Sequence, residues 1–126
     1  YSSTAKVGIG NGNYNPNSTL SVKGSITTTI ETLSTNTTLN EAHHTVIADG
    51  ITITLPSPTT MLGNIIGREY IIKAGASGNT TITPNTGGQI DLSAVSIVLR
   101  AFESIKTKAI SNLLFIIDII FAAKVI

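Results

Sequence analysis

The sequence predicts an all-β domain of short antiparallel strands, arranged as a β-prism or β-sandwich-like body. Three observations carry this. Thr and Ile dominate the chain, and β-branched side chains pack well on a pleated surface but lose rotamer freedom in a helix. Roughly eight short strand-like runs recur about every 8–12 residues with Gly, Pro, Asn or Asp between them, the spacing of sandwich, barrel or prism strands. Residues 51–55, ITITL, alternate strictly, with Ile51, Ile53 and Leu55 on one face and Thr52 and Thr54 on the other.

Taken in order, residues 1–24 are rich in Gly, Asn and Ser, and Leu20 and Val22 alternate with Ser21 and Lys23 as a short strand that stops at Gly24. Residues 25–39 set Ile26, Ile30, Leu33 and Leu39 among Thr and Ser and read as extended chain, because so many threonines disfavour a helix. Residues 45–48 (TVIA) reach Asp49-Gly50, the strongest short hairpin signal, and residues 51–55 follow. Pro56 and Pro58 stop that strand. Residues 56–67 are a loop with one helical turn near 60–62. Residues 68–74 (REYIIKA) form a strand that GASGN turns around into 80–83 (TTIT), and PNTGG turns the chain again before a short strand at 89–92. Residues 95–101 and 103–110 are strands; VSIVLRAFESIKTKA also carries an amphipathic-helix pattern, which its β-branched content outweighs. Ser111-Asn112 leads into a final strand at 113–120.

The chain thus divides into a Gly/Asn-rich entry segment, residues 1–30, and a β-domain, residues 31–126. Leu20, Val22, Ile26, Ile51, Ile53, Leu55, Tyr70, Ile72 and Ile82 are expected to be buried, with Leu113, Phe115 and Ile117 in the last strand. That strand, LLFIIDIIF, is apolar at consecutive positions, so both faces want cover. Either it is central in a sheet, or another chain covers one face.

Composition excludes several functions. Charged residues are 12% of the chain, net charge is +1, and Lys and Arg are scattered; nucleic-acid binding needs a clustered positive face, so no nucleic-acid partner is expected. There is no Cys, hence no disulfide, and no Trp, which argues against an aromatic sugar-stacking platform within one chain. The opening YSSTAKVG has no apolar core, so no secretory leader is expected. Residues 113–126 are shorter than the ~20 residues of a membrane helix and contain Asp118, so no membrane span is expected.

Catalytic motifs fail on spacing. Gly8, Gly10 and Gly12 give G-x-G-x-G, whereas a dinucleotide loop needs G-x-G-x-x-G between a strand and a helix whose N-terminus holds the pyrophosphate. A phosphate loop ends in Gly-Lys-Ser/Thr; Lys23-Gly24-Ser25 reverses that order. His43 and His44 point to opposite faces of an extended chain and lack the Cys or carboxylate partners of a zinc set, which leaves only one His from each of three copies as a metal arrangement. Asp49, Asp91 and the other carboxylates form no motif pair, and no serine sits in G-x-S-x-G. No enzyme, cofactor or metal is expected. Asn17-Ser18-Thr19, Asn36-Thr37-Thr38 and Asn79-Thr80-Thr81 match the glycosylation pattern, which arises by chance in a Thr- and Asn-rich chain.

VGIG, then Asn-Pro, then STLSVKGSI resembles the V-G-I-G-T-x-x-P-x-x-x-L-x-V-x-G element of bacteriophage tail fibres and related fibrous surface proteins, frequent in Bacteroidetes and their phages. TLSTNTTLNEAHHTVIADG, ITITLPSPTTMLGNIIGREYIIKAG, NTTITPN and GGQID resemble a domain that often follows there, so the resemblance covers roughly residues 7–118. It implies a structural homotrimer wound around a three-fold axis as a shaft or knob, extracellular, on a virion or as a cell-surface appendage. The implied partners are the chain itself, as a trimer or higher polymer, and a host-surface glycan or protein; in a binding module the contact would come from loops such as 56–67 or 75–79. The glycine stretch then serves as an entry turn near the axis. Two alternatives stay open: a stand-alone carbohydrate- or receptor-binding module, and a subunit of a bacterial surface filament held by strand donation. Two departures matter. The loop at residues 11–15 is longer than T-x-x-P, and the usual aromatic ending D-G-x-N-W-x-I-I is replaced by SNLLFIID.

Overall fold

The structure, a computed structural model, describes residues 6–10, 16, 18–57, 66–110 and 114–120; in the last strand it describes the backbone and the Phe115 side chain. These residues form twelve strands and no helix. The strands are β1 (Val7–Ile9), β2 (Leu20–Val22), β3 (Ile30–Leu33), β4 (Thr37–Thr38), β5 (Thr45–Ala48), β6 (Thr52–Thr54), β7 (Glu69–Ala74), β8 (Thr80–Thr83), β9 (Gln89–Ile90), β10 (Ile97–Leu99), β11 (Ser104–Ala109) and β12 (Leu114–Ile120). The region expected to choose between strand and helix, residues 95–108, is β10 and β11. The helical turn expected near 60–62 lies outside the described residues.

The all-β expectation holds; the sheets are mixed rather than antiparallel throughout. A six-stranded sheet runs β3-β5-β7-β11-β12-β9, a four-stranded sheet runs β10-β8-β6-β4, and β1 pairs with β2 alone. From β3 to β8 the chain alternates between the two larger sheets, and each return lies parallel to the strand before it: β3, β5 and β7 in one sheet, β4, β6 and β8 in the other. The result is a coil of three rungs, a short β-solenoid. Antiparallel pairing begins only at the third rung, where β11 pairs with β7, β10 with β8, and β12 with β11.

Asp49-Gly50 is therefore not a hairpin. It carries the chain from β5 in one sheet to β6 in the other, and GASGN does the same between β7 and β8. Gly50 does adopt a left-handed φ of 69°, which a tight corner needs as much as a hairpin does. The corners stack. Asp49 accepts hydrogen bonds from the Ser77 N–H (2.7 Å) and hydroxyl (2.8 Å) of the next rung. On the preceding rung, Asn36 accepts from the Thr52 N–H at 2.8 Å. These bonds satisfy corner N–H groups that a curving backbone leaves without a ladder partner.

Between the sheets lies one core. Its inward rows come from register: Leu33, Ala48 and Ala74 are opposed in sequence across β3, β5 and β7, and Ile53 opposes Ile82 across β6 and β8. All five are buried, with Val46, Leu55, Tyr70, Ile72, Ile105 and Phe115. Ile51 is half-buried and packs against this core. Leu113 and the Ile117 side chain lie outside the described residues. Leu20 and Ile26, expected to be buried, are 59% and 69% exposed within the chain, and Val22 is half-buried. The physical reason is that, among the described residues, β1 and β2 pair only with each other and add no strand to either core sheet, and residues 23–29 between β2 and β3 lie in no strand.

Candidate assembly surface

In the parallel β1–β2 ribbon, Val7 opposes Leu20, Gly8 opposes Ser21 and Ile9 opposes Val22. Alternation then puts Val7, Ile9, Leu20 and Val22 on one face and leaves only Gly8 and Ser21 on the other. Val7, Ile9 and Leu20 are each more than half exposed. The ribbon is thus apolar on one side, almost bare on the other, and uncovered. Gly10, with φ 153°, closes it: a Cβ there would stand 2.9 Å from the Lys23 Cβ. Ile26 and Ile30 continue the exposed apolar series into β3. Gly8 and Gly10 thus shape this ribbon, and the helix that a phosphate site requires does not occur among the described residues that follow; Gly12 lies outside the described residues.

A second exposed apolar group lies on the far rung. Ile90 and Ser93 exchange both backbone hydrogen bonds, around Asp91 (φ 48°) and Leu92 (φ 65°). This is the geometry of a two-residue hairpin with both central residues left-handed, where Asn-Gly is favoured. Leu92 stands instead of Gly, 76% exposed, with Val95, Val98 and Phe102 also exposed.

The polar residues singled out by sequence serve as ties. His43 is nine-tenths buried; its Nδ1 accepts the Asn40 N–H at 3.0 Å and its Nε2 lies 3.6 Å from a Glu31 carboxylate oxygen. His44 meets its neighbour Thr45 instead, with Nδ1 3.1 Å from the hydroxyl. No group of three or more His, Cys, Asp or Glu that could hold a metal occurs among the described residues. The Tyr70 hydroxyl donates to the Asn40 carbonyl at 3.2 Å, and burial pushes its pKa up, opposed by the nearby Arg68. Glu69 bridges two lysines of β11, with Lys106 Nζ at 2.9 Å and Lys108 Nζ at 3.5 Å. The hydrogen bond from Lys106 holds its carboxyl below the usual range. Asp49 is engaged by Ser77, and Glu103 accepts the Arg100 N–H at 2.8 Å. No two of Asp49, Asp91 and Glu103 are brought together in these contacts.

An open recess of about 340 Å³ is formed by residues 83–89 and Ala94. Its wall is uncharged and lacks an aromatic ring, so it has neither a proton-transfer group nor a stacking platform. Of the loops expected to touch a host surface, 56–67 lies mostly outside the described residues, and 75–79 is a corner tied down by Asp49. No family model, curated protein or solved structure matches this chain.

Proposed function

We propose that the chain is a structural fibre protein: a β-rich segment of a homotrimeric shaft or knob, in a phage tail fibre or related extracellular appendage, with no chemistry of its own. The observation that carries this is the uncovered apolar face of the β1–β2 ribbon. A two-stranded ribbon is at best marginally stable in water, and each aliphatic side chain gains about 1.5–3 kcal/mol on full burial. Three copies meeting around an axis would cover Val7, Ile9, Leu20 and Val22 with one another, and a closed ring of identical contacts ends the assembly. Few charges oppose such packing.

Leu20→Asp tests it. Leu20 is exposed in the single chain, so the substitution should leave the β-domain's stability within about 0.5 kcal/mol while reducing a three-chain mass to one. A Leu20→Asp protein that keeps the wild-type mass would overturn the proposal.

A second reading, a filament held by strand addition, is favoured by β12. Only its Leu114 and Phe115 pair with β9; along residues 116–120 its neighbour among the described residues is β11 alone. A long apolar edge invites another strand. Mass that rises with concentration without limit would favour this reading over the closed trimer.

A further inference from the structure

The outward faces of the two sheets differ in chemistry. On the six-stranded sheet, outward positions carry Glu69, Lys73, Lys106 and Lys108, alternating with the buried Tyr70, Ile72, Ile105 and Thr107. The four-stranded sheet carries no charge on its outward face. There Thr38, Thr54 and Thr83 form one row across β4, β6 and β8, and Thr52, Thr81 and Val98 form a second across β6, β8 and β10. Ile53 and Ile82 point the other way and are fully buried, which fixes the direction of the threonines between which they sit.

Four of the five hydroxyls on this face are also unengaged among the described residues. Elsewhere threonines bond to the chain: Thr29 donates to the Ala42 carbonyl, Thr37 to that of Thr35, and Thr80 to that of Ala48. Among the described residues, the hydroxyls of Thr38, Thr52, Thr54 and Thr81 make no such bond, and Thr83 makes only a long one, 3.4 Å, to the Pro84 carbonyl. A β-branched side chain is stiff at χ1, so the array is rigid before anything binds, and little ordering entropy opposes binding.

Strand spacing sets its mesh. Neighbouring strands lie about 4.8 Å apart and same-face residues along a strand about 6.7 Å apart. By that spacing, five of the six positions, all but Val98, set a hydroxyl and a methyl on a mesh of about 4.8 by 6.7 Å, close to the oxygen net of the prism faces of hexagonal ice. We propose that the outer face of the four-stranded sheet binds ice. The hydroxyls take the places of lattice oxygens, and the methyls hold the ordered waters between them. A neutral lattice matches a neutral face, whereas an anionic glycan or lipid surface would require the cations that sit on the opposite sheet. A neutral polysaccharide would require aromatic rings to stack on its sugars, and this face has none. The inference is independent of the fibre reading, since it rests on a face the β1–β2 ribbon does not form.

The test uses the fluorescently labelled full chain on a single growing ice crystal, with recrystallisation of a polycrystalline film as the second readout. Wild type is expected to coat the crystal and slow recrystallisation. Thr81→Tyr should lose both effects while its circular dichroism and melting stay unchanged, because a tyrosine suits a strand but stands above the row of threonines. Thr32→Tyr, on the outward side of β3 in the other sheet, should keep both. Wild type that leaves the crystal bare and recrystallisation at the buffer rate would overturn the proposal. So would a Thr81→Tyr protein that still coats ice, or retention of the wild type on insoluble cellulose or chitin but not on ice.

Discussion

Thr107 is fully buried on β11, and its hydroxyl finds no hydrogen-bond partner among the described residues. A buried hydroxyl without a partner costs about 1–3 kcal/mol in lost hydration, and valine has the same shape. Thr107→Val is therefore expected to raise stability by about 1 kcal/mol, seen as a higher denaturant midpoint at unchanged slope. Tyr70 works in the other direction. Its folded pKa lies above the ordinary 10.0 because burial disfavours the phenolate. The stability tied to its neutral form is complete below pH about 10 and falls as pH rises toward the folded pKa, since the unfolded chain ionises first. Wild type should lose stability in that alkaline window. Tyr70→Phe should flatten the loss and give up about 0.5–1.5 kcal/mol at neutral pH with the bond to the Asn40 carbonyl. Gly75 is fixed by contact: a Cβ there would meet the Asp49 carboxyl at 2.6 Å. Gly75→Ala should displace the carboxylate from Ser77 and destabilise the corner, measured as faster amide exchange at Ser77.

The strands themselves were largely legible as elements. ITITL, REYIIKA and TTIT alternate, and β6, β7 and β8 fall within them. What each strand pairs with was not legible. Asp49-Gly50 demands a left-handed residue whether the chain folds back on itself or bends into a second sheet, and both outcomes leave the same dipeptide. The choice depends on Asn36 and Ser77, which hold the corner from the rungs before and after it, and such long-range partners carry no local signal. Residues 104–109 alternate cleanly because β11 is buried on one face only, and its outward Lys106 and Lys108 hold Glu69 of β7 across the sheet. That triad has a depressed Glu69 pKa, so its contribution is present above the ordinary carboxylate pKa and is lost as pH falls through the lowered one. It is partly exposed, so its worth is at most about 1 kcal/mol. Glu69→Gln should lower stability at pH 7 by no more than that, with the difference vanishing in high salt and in acid.

At the scale of the molecule, the core and the proposed assembly surface separate. Ile53, Leu55, Tyr70, Ile72 and Ile82 lie inside the solenoid on the apolar faces of alternating strands, and Phe115 of the continuously apolar last strand joins them. Leu20 and Ile26 carry the same apolar signal but lie outside it, because hydrophobicity marks a residue for burial without saying what covers it. Polar stretches were harder still: the threonines of β4, β6 and β8 read as ordinary strand formers until register aligned them in rows. The central claim is that the entry ribbon is completed by other copies. Light scattering on the purified chain after size exclusion tests it most directly. The proposal predicts a concentration-independent mass of three chains, reduced to one by Leu20→Asp. A monodisperse single chain of 13.1 kDa with its ribbon exposed would contradict it.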